Sequence, residues 1–222
     1  MKEKMEITPS PLRPNNSSAA IVGLGNPGER YAATRHNLGF MVVREFVARL
    51  PSSDRKGHPL ALLHRARFDE RELFLLKPRT YMNLSGEAVH WLATTRNLAP
   101  AQIMVVLDDF SLPLGRLRVR AGGSSGGHNG LKDINARLGT TDYPRLRMGI
   151  GPVPDGQDPA DFVLENFTAP EHDLVATMLS RACDCLEVWL RQGIETAMSG
   201  FNGAPPTPPA GETGGTSNHD LS

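Results

Sequence analysis

Short apolar runs alternate with amphipathic segments along much of the chain, and this order predicts an α/β fold. Apolar runs bounded by glycine, proline or polar residues predict strands at residues 19–24, 74–76 and 103–107. Further strands are predicted at residues 117–119, where Leu117 and Val119 alternate with arginines, and at residues 146–150. Apolar positions that recur every three to four residues predict helices at residues 38–50, 85–97, 131–138 and 173–191. We therefore expect one sheet with helices on both of its faces.

Two terminal segments lack this pattern. Residues 1–18 are rich in Pro and Asn, and residues 201–222 hold four prolines and several glycines. We expect both segments to be disordered, so that the folded domain spans residues 19–200. The first twenty residues lack the apolar stretch of a secretory signal, which favours a cytoplasmic protein.

Composition narrows the class of protein. Apolar residues make up 39% and charged residues 22% of the 222 residues, so the chain can bury a core. No apolar run reaches the roughly 18–20 residues of a membrane span, and we expect no membrane contact. Cys183 and Cys185 lie too close together for an ordinary disulfide framework.

The formal net charge is zero, but the charges are unevenly distributed. Residues 111–150 carry seven Lys and Arg against two Asp, whereas residues 151–200 carry nine acidic residues against two Arg. A local basic field attracts a polyanion whatever the total charge is. On charge alone, a phosphate-binding surface and an ordinary solvated face both remain open.

Residues 23–28, Gly-Leu-Gly-Asn-Pro-Gly, match the spacing of the dinucleotide-binding G-x-G-x-x-G motif. That motif needs a helix that begins at the glycines, because the helix N-terminus binds the pyrophosphate. Here Pro27 and a polar stretch intervene, and helical periodicity begins only near Leu38. A nucleotide site stays open as an alternative that this context weakens.

A second glycine-rich segment, residues 123–127, matches the G-x-S-x-G motif and would make Ser125 a nucleophile. His172 follows it with acidic residues between, but no oxyanion-hole segment of the HGGG type is found. The same glycines suit a plain turn, or a loop whose backbone approaches a ligand closely. A serine hydrolase is thus a second open alternative.

Three amides, one histidine and one carboxylate stand at the ends of predicted elements: Asn26, His36, Asn83, Asp108 and Asn129. Ligands of open α/β sheets bind beyond the carboxyl ends of strands, so these side chains can converge. Each has an ordinary structural explanation by itself, since Asn and Asp are common caps and turn formers. Their co-occurrence favours an active site.

Six longer motifs follow one another along the chain: residues 21–28 (IVGLGNPG), 31–37 (YAATRHN), 77–86 (KPRTYMNLSG), 108–109 (DD), 126–132 (GGHNGLK) and 144–152 (PRLRMGIGP). Together they resemble the motifs of bacterial-type peptidyl-tRNA hydrolases. The resemblance implies a monomeric, single-domain α/β three-layer sandwich whose twisted, mixed but mostly parallel β-sheet is flanked by helices. It also implies hydrolysis of the ester between a peptide and the 3′ end of tRNA, with no metal and no cofactor.

The residue types suit this reaction. His36 would be the general base that activates water, and Asp108 would fix its tautomer and stabilise the imidazolium as it forms. Asn26 is our choice for the donor to the developing oxyanion. We also expect the position of His36 near a helix N-terminus to disfavour its protonated form at rest.

The resemblance also implies contacts to the peptidyl-tRNA substrate. The residues expected at the peptide and the 3′-terminal region are Tyr31, Met82, Asn83 and Asn129. The residues expected at tRNA phosphates are Arg120, Lys132 and Arg147. His128 is expected to pack the loop, and residues 158–173 match the mobile lid of the family.

One alternative belongs to another class of function. A branch of this family resembles the hydrolases in fold but serves as an RNA-binding factor in intron splicing. Such a protein could lose its catalytic residues and keep its basic surface. His36 and Asp108 are both present here, which favours the enzyme.

Overall fold

The apolar runs form one seven-stranded sheet in the computed structural model, which describes residues 18–203. The strands are β1 (Ser18–Gly23), β2 (Asp54–His58), β3 (Ala61–Phe68), β4 (Arg71–Pro78), β5 (Ile103–Pro113), β6 (Leu117–Arg120) and β7 (Arg145–Gly151). Their order across the sheet is β2-β3-β4-β1-β5-β7-β6. The central strands β4, β1, β5 and β7 are parallel, while β2, β3 and β6 pair antiparallel with their neighbours.

Helices cover both faces of this sheet, which confirms the predicted three-layer α/β class. They are α1 (Leu38–Arg49), α2 (Ser85–Arg96), α3 (Asn129–Leu138), α4 (Pro159–Phe162), α5 (His172–Gln192) and α6 (Ile194–Phe201). Side chains alternate between the two faces along a strand, so Ile21 and Val22 enter two different cores. One core lies beneath α1, α5 and α6, and the other lies beneath α2 and α3.

Helix α1 packs against the end of β1 through two glycines. A Cβ atom on Gly23 would lie 2.0 Å from the carbonyl oxygen of Gly39, and one on Gly39 would lie 2.3 Å from the nitrogen of Leu24. The helix begins only at Leu38, well after Gly28. These glycines therefore serve helix packing, and the helix that a dinucleotide site needs at the glycines is not there.

Three features of the sheet differ from the sequence analysis. Strands β2 and β3 were missed, because β2 is exposed and polar and the apolar positions of β3 are interrupted by His64, Arg65 and Arg67. The strand expected at residues 103–107 does not end at Asp108 but continues to Pro113. Its pairing with β7 shifts between Asp109 and Pro113, an irregularity of the kind that re-aims side chains at active sites.

The two terminal segments fall mostly outside the described part of the chain. Residues 1–17 and 204–222, which hold nearly all of the two segments expected to be disordered, lie outside the described residues. Ser18 already belongs to β1, and α6 continues to Phe201. Among residues 18–203, no helix combines the length and the apolar character that a membrane crossing requires.

Candidate active site

A crevice of about 620 Å³ opens beside the ends of β1 and β4 and the middle of β5. The topology brings these parts of the chain together, because β4, β1 and β5 are parallel neighbours. Six predicted site residues line the crevice: Asn26, His36, Met82, Asn83, Asp108 and Asn129. Val163 and Leu164 of the segment expected as a lid also line it, together with Tyr81 and Phe110, which the sequence analysis did not single out.

His36 and Asp108 form a directly bonded pair at the bottom of this crevice. The Nδ1 atom of His36 lies 2.8 Å and 3.0 Å from the two carboxylate oxygens of Asp108. An ionised carboxylate only accepts hydrogen bonds, so Nδ1 carries the proton and Nε2 keeps its lone pair. The side chain of Asp108 is 1% exposed and that of His36 is 12% exposed. The buried carboxylate thus fixes one tautomer of a histidine that the crevice can still reach.

His128 supports the same carboxylate from the other side. Its Nε2 lies 3.3 Å from Oδ1 of Asp108, while its Nδ1 accepts a hydrogen bond from the backbone N–H of Leu131 at 3.4 Å. The latter bond caps the N-terminus of α3. Because both of its ring nitrogens are engaged, His128 acts as a support for Asp108 and leaves His36 as the base.

The pKa of His36 is shifted in the direction opposite to the one expected from its position near a helix N-terminus. Burial lowers the pKa of His36, but the charge of Asp108 and the hydrogen bond to it raise that pKa, and the net shift is upward. The expectation that a helix N-terminus disfavours the imidazolium is therefore wrong, because a carboxylate in contact outweighs the partial charge of a helix end. Burial raises the pKa of Asp108, yet its two histidine partners bring it well below its usual range.

The amide of Asn26 is held in one orientation. Its Oδ1 accepts a hydrogen bond from the backbone N–H of Met82 at 2.9 Å, and the residue is 8% exposed. With the oxygen engaged in this way, the amide NH₂ group is the part of Asn26 that can donate into the crevice. This arrangement suits a donor to an oxyanion.

Asn37 positions Asn26, and the sequence analysis missed it. Its Oδ1 accepts the backbone N–H of Asn26 at 2.8 Å, and its Nδ2 donates to the carbonyl of Asn26 at 3.0 Å. These two bonds tie the loop after β1 to the turn that carries His36. A polar residue directly after His36, at the start of a buried helix, was the available signal.

Residues 158–173, the covering segment, form one wall of the crevice and bind the turn that carries His36. The backbone N–H of His36 donates to the carbonyl of Val163 at 2.8 Å.

Arg35 is 4% exposed, and its guanidinium makes two hydrogen bonds to the carboxylate of Glu171, at 3.0 Å and 2.9 Å. The same guanidinium lies over the rings of Phe162 and Phe167. Arg35 thus anchors the covering segment next to the base.

Replacing Arg35 by alanine is expected to lower the free energy of unfolding by about 3 kcal/mol, because it breaks a largely buried, two-bond ion pair. Urea unfolding of the two proteins measures this difference. Arg67→Ala is the control: its ion pair with Glu70 is exposed on both sides and should contribute at most about 1 kcal/mol. Equal losses in the two variants would contradict the anchoring role of Arg35.

Four other predicted residues lie outside the lining of the crevice. Arg120 is exposed at the end of β6, and Lys132 donates to Oδ1 of Asn129 at 3.3 Å. Arg147 is paired with Asp109, its Nε lying 2.9 Å from Oδ2. Tyr31 lies in a turn of 3-10 helix with the guanidinium of Arg30 over its ring.

The serine alternative finds no supporting geometry. Ser125 is not among the residues that line the crevice. His172 instead lies at the start of α5, where its Nε2 is 3.2 Å from the carbonyl oxygen of Phe167. Within residues 18–203, no hydrogen bond joins Ser125 to His172.

Within residues 18–203, the group of residues that could hold a metal ion is the histidine–carboxylate group. One ligand atom each of His36, Asp108 and His128 lies within 4.8 Å of the others. Two imidazoles and a carboxylate are a ligand set that Zn²⁺ accepts. The hydrogen bonds from His36 and His128 to Asp108 already engage ring nitrogens and a carboxylate oxygen, the kinds of atom that a metal ion would bind.

The sequence of this chain is similar to those of known proteins from one family. A family model described as peptidyl-tRNA hydrolase matches residues 20–209. Over 183 residues the chain is 46% identical to a peptidyl-tRNA hydrolase of Chloroflexus aurantiacus, which covers 82% of this chain and 97% of that protein. Over 183 residues it is 48% identical to one of Mycobacterium tuberculosis, covering 81% of this chain and 94% of that protein.

Solved structures agree with these sequence matches. The crystal structure of peptidyl-tRNA hydrolase from Acinetobacter baumannii superimposes with a TM-score of 0.80 at 32% sequence identity. The match covers 86% of this chain and 97% of that chain. Both the fold and most of the sequence are therefore similar to one family of enzymes.

Proposed function

Because the chain belongs to the peptidyl-tRNA hydrolase family, we propose that it cleaves the ester between the peptide and the 3′ end of tRNA with His36 as the general base. The observation that carries this mechanism is the contact of His36 Nδ1 with both oxygens of the buried Asp108. In the neutral imidazole this contact leaves Nε2 without a proton, and His36 lines the crevice where the substrate would bind. The products are a free peptide and a tRNA that can be used again in translation.

In the proposed reaction, one proton moves from water to His36 and then to the leaving 3′ oxygen of tRNA. Nε2 of His36 removes a proton from water as the water oxygen attacks the ester carbonyl carbon. Asp108 stabilises the imidazolium that results. The carbonyl oxygen becomes an oxyanion that accepts a hydrogen bond from the amide of Asn26, an interaction worth about 3 kcal/mol. As the tetrahedral intermediate collapses, the imidazolium returns the proton to the 3′ oxygen of tRNA.

Neutral amides suit a substrate whose peptide sequence varies. Asn83 and Asn129 both line the crevice and can bind main-chain groups that all peptides share. We assign the peptide and the 3′-terminal adenosine to this pair, with Met82 beside them and Tyr31 at a more distant position. The exposed rings of Tyr81 and Phe110 offer apolar contacts to either part of the substrate.

The experiment that tests this function compares two esters of the same tRNA. The protein is expected to release N-acetyl-amino acid from N-acetyl-aminoacyl-tRNA and to spare the aminoacyl-tRNA whose amino group is free. We also propose that the reaction needs no metal, so treatment with a chelator should leave the rate unchanged. Retained tRNA binding without any hydrolysis would instead favour an RNA-binding role.

Phosphate binding by Arg120 and Arg147 predicts a change in KM that depends on the length of the RNA. The double variant Arg120→Ala, Arg147→Ala is expected to raise KM for N-acetyl-aminoacyl-tRNA about 100-fold, about tenfold for each arginine, since removing each charge-assisted hydrogen bond costs about 1.5 kcal/mol or more. KM for the N-acetyl-aminoacyl ester of adenosine should stay the same. Steady-state kinetics on both esters measures the difference, and equal damage to both would refute the assignment.

We further propose that the enzyme works as a monomer in the cytoplasm. A monomer suffices because one chain supplies all the residues assigned to the reaction. The cytoplasm is where translation produces peptidyl-tRNA.

A further inference from the structure

Another cavity, of about 420 Å³, is lined by residues from the same two loops that contribute to the active-site crevice. Its walls include Pro27, Phe40, Arg55, Lys77 and Arg79, and we call it the basic groove. Three of these five side chains carry a positive charge. None of the residues that line it is acidic.

The sheet register explains why these cations meet. Lys77 on β4 pairs with Leu62 on β3, which in turn pairs with Gly57 on β2. Arg55 lies two residues before Gly57, so it shares a face of the sheet with Lys77. The same face packs against α1, which brings Phe40 to the groove, with the Nζ of Lys77 5.6 Å from the centre of the Phe40 ring.

The positive charge of the groove is not neutralised by the protein. Among residues 18–203, none of the ion pairs includes Arg55, Lys77, Arg79 or the nearby Arg44. Burial lowers the pKa of Lys77, and the charges of Arg44 and Arg55 lower it further. A bound anion would relieve this repulsion.

Two loops each contribute neighbouring residues to the crevice and to the groove. Asn26 lines the crevice and Pro27 lines the groove. Arg79 likewise lines the groove, and Tyr81 and Met82 line the crevice. A chain molecule whose end lies at His36 can therefore extend across these loops into the groove.

We propose that the basic groove binds the backbone phosphates of the single-stranded 3′ end of tRNA, with a base against Phe40. This inference rests on the proposed function. Cations combined with an aromatic side chain are the usual means of binding single-stranded nucleic acid. Phosphates occur in every peptidyl-tRNA, whereas acidic side chains occur only in some peptides, so a fixed basic groove suits the RNA part of the substrate.

The test uses N-acetyl-aminoacyl esters of adenosine and of the trinucleotide CCA, which differ by the phosphates between nucleotides. The variant Arg55→Ala, Lys77→Ala is expected to raise KM about tenfold for the CCA ester and for the tRNA ester. Its kcat, and its KM for the adenosine ester, should not change. The slope of log KM against log salt should fall by about 0.7 for each phosphate that the variant no longer neutralises.

Two single variants serve as controls for the assignment of phosphate binding to the basic groove. Arg71→Ala removes an exposed cation at the opposite end of β4 and should leave all three esters unaffected. Arg55→Ala alone changes only an exposed side chain and should raise KM for the CCA ester by a smaller factor than the double variant. It keeps the test possible if the double variant folds poorly.

Three results would overturn the proposal. They are an unchanged KM for the CCA and tRNA esters, an equal rise in KM for the adenosine ester, and a rise that depends on whether the peptide is acidic or basic. The last result would assign the groove to the peptide. Failure of the wild-type protein to hydrolyse any of the esters would refute the proposed function itself.

Discussion

Replacing His36 by alanine is expected to lower kcat for N-acetyl-aminoacyl-tRNA by about 10²–10⁴-fold, the usual contribution of a positioned general base. The loss should appear in kcat, because His36 acts on water in the transition state and the amides and cations that bind the substrate remain. Initial rates over a range of substrate concentrations separate the two constants.

A histidine outside the crevice provides the control for this prediction. His172 binds the carbonyl of Phe167 at the start of α5, and His172→Ala should retain the wild-type kcat. A fall of less than tenfold in His36→Ala, or an equal fall in His172→Ala, would contradict the role of His36 as the base.

Asp108→Asn is expected to lower kcat by about 10³–10⁴-fold, as in other enzymes whose histidine loses its carboxylate partner. An amide can also donate to Nδ1, which would stabilise the tautomer with the proton on Nε2, the wrong nitrogen. It also lacks the charge that stabilises the imidazolium as it forms. Steady-state kinetics beside the wild-type protein measures the loss.

The same variant should change the pH dependence in a definite direction. The charge of Asp108 raises the pKa of His36, so the acidic limb of wild-type kcat/KM should have its midpoint above about 6.5. A base must be unprotonated, and activity is therefore lost as pH falls through this pKa. In Asp108→Asn only the effect of burial remains, so the midpoint should move to lower pH even though the rate falls. Asp109→Asn is the control, and its acidic limb should not move.

Much of the fold and of the site can be predicted from sequence, because the information is local. Continuous apolar runs such as residues 103–107 have few alternatives to a buried strand, and Asn26, His36 and Asp108 stand where such elements end or bend. The parallel order of β4, β1 and β5 then brings them together. Strand β2 gave no such signal, because its exposed polar residues are held only by pairing with β3.

The features that could not be predicted depend on distant contacts. The pairing of His36 with Asp108 was expected, but the upward net shift in the pKa of His36 was not, because it depends on how burial balances the charge of a carboxylate 72 positions away in the chain. The ion pair between Arg147 and Asp109, and the bonds from Asn37 that hold the Asn26 loop, likewise depend on how elements pack. The anchor formed by Arg35 and Glu171 joins residues 136 positions apart, and no local pattern marks either of them.

The most direct test of the central claim compares Ser125→Ala with His36→Ala and the wild-type protein. The measured quantity is the rate at which each releases N-acetyl-amino acid from its tRNA ester. Activation of water by His36 predicts near wild-type activity in Ser125→Ala and collapse in His36→Ala. Collapse in Ser125→Ala with activity retained in His36→Ala would contradict it and would indicate a serine nucleophile.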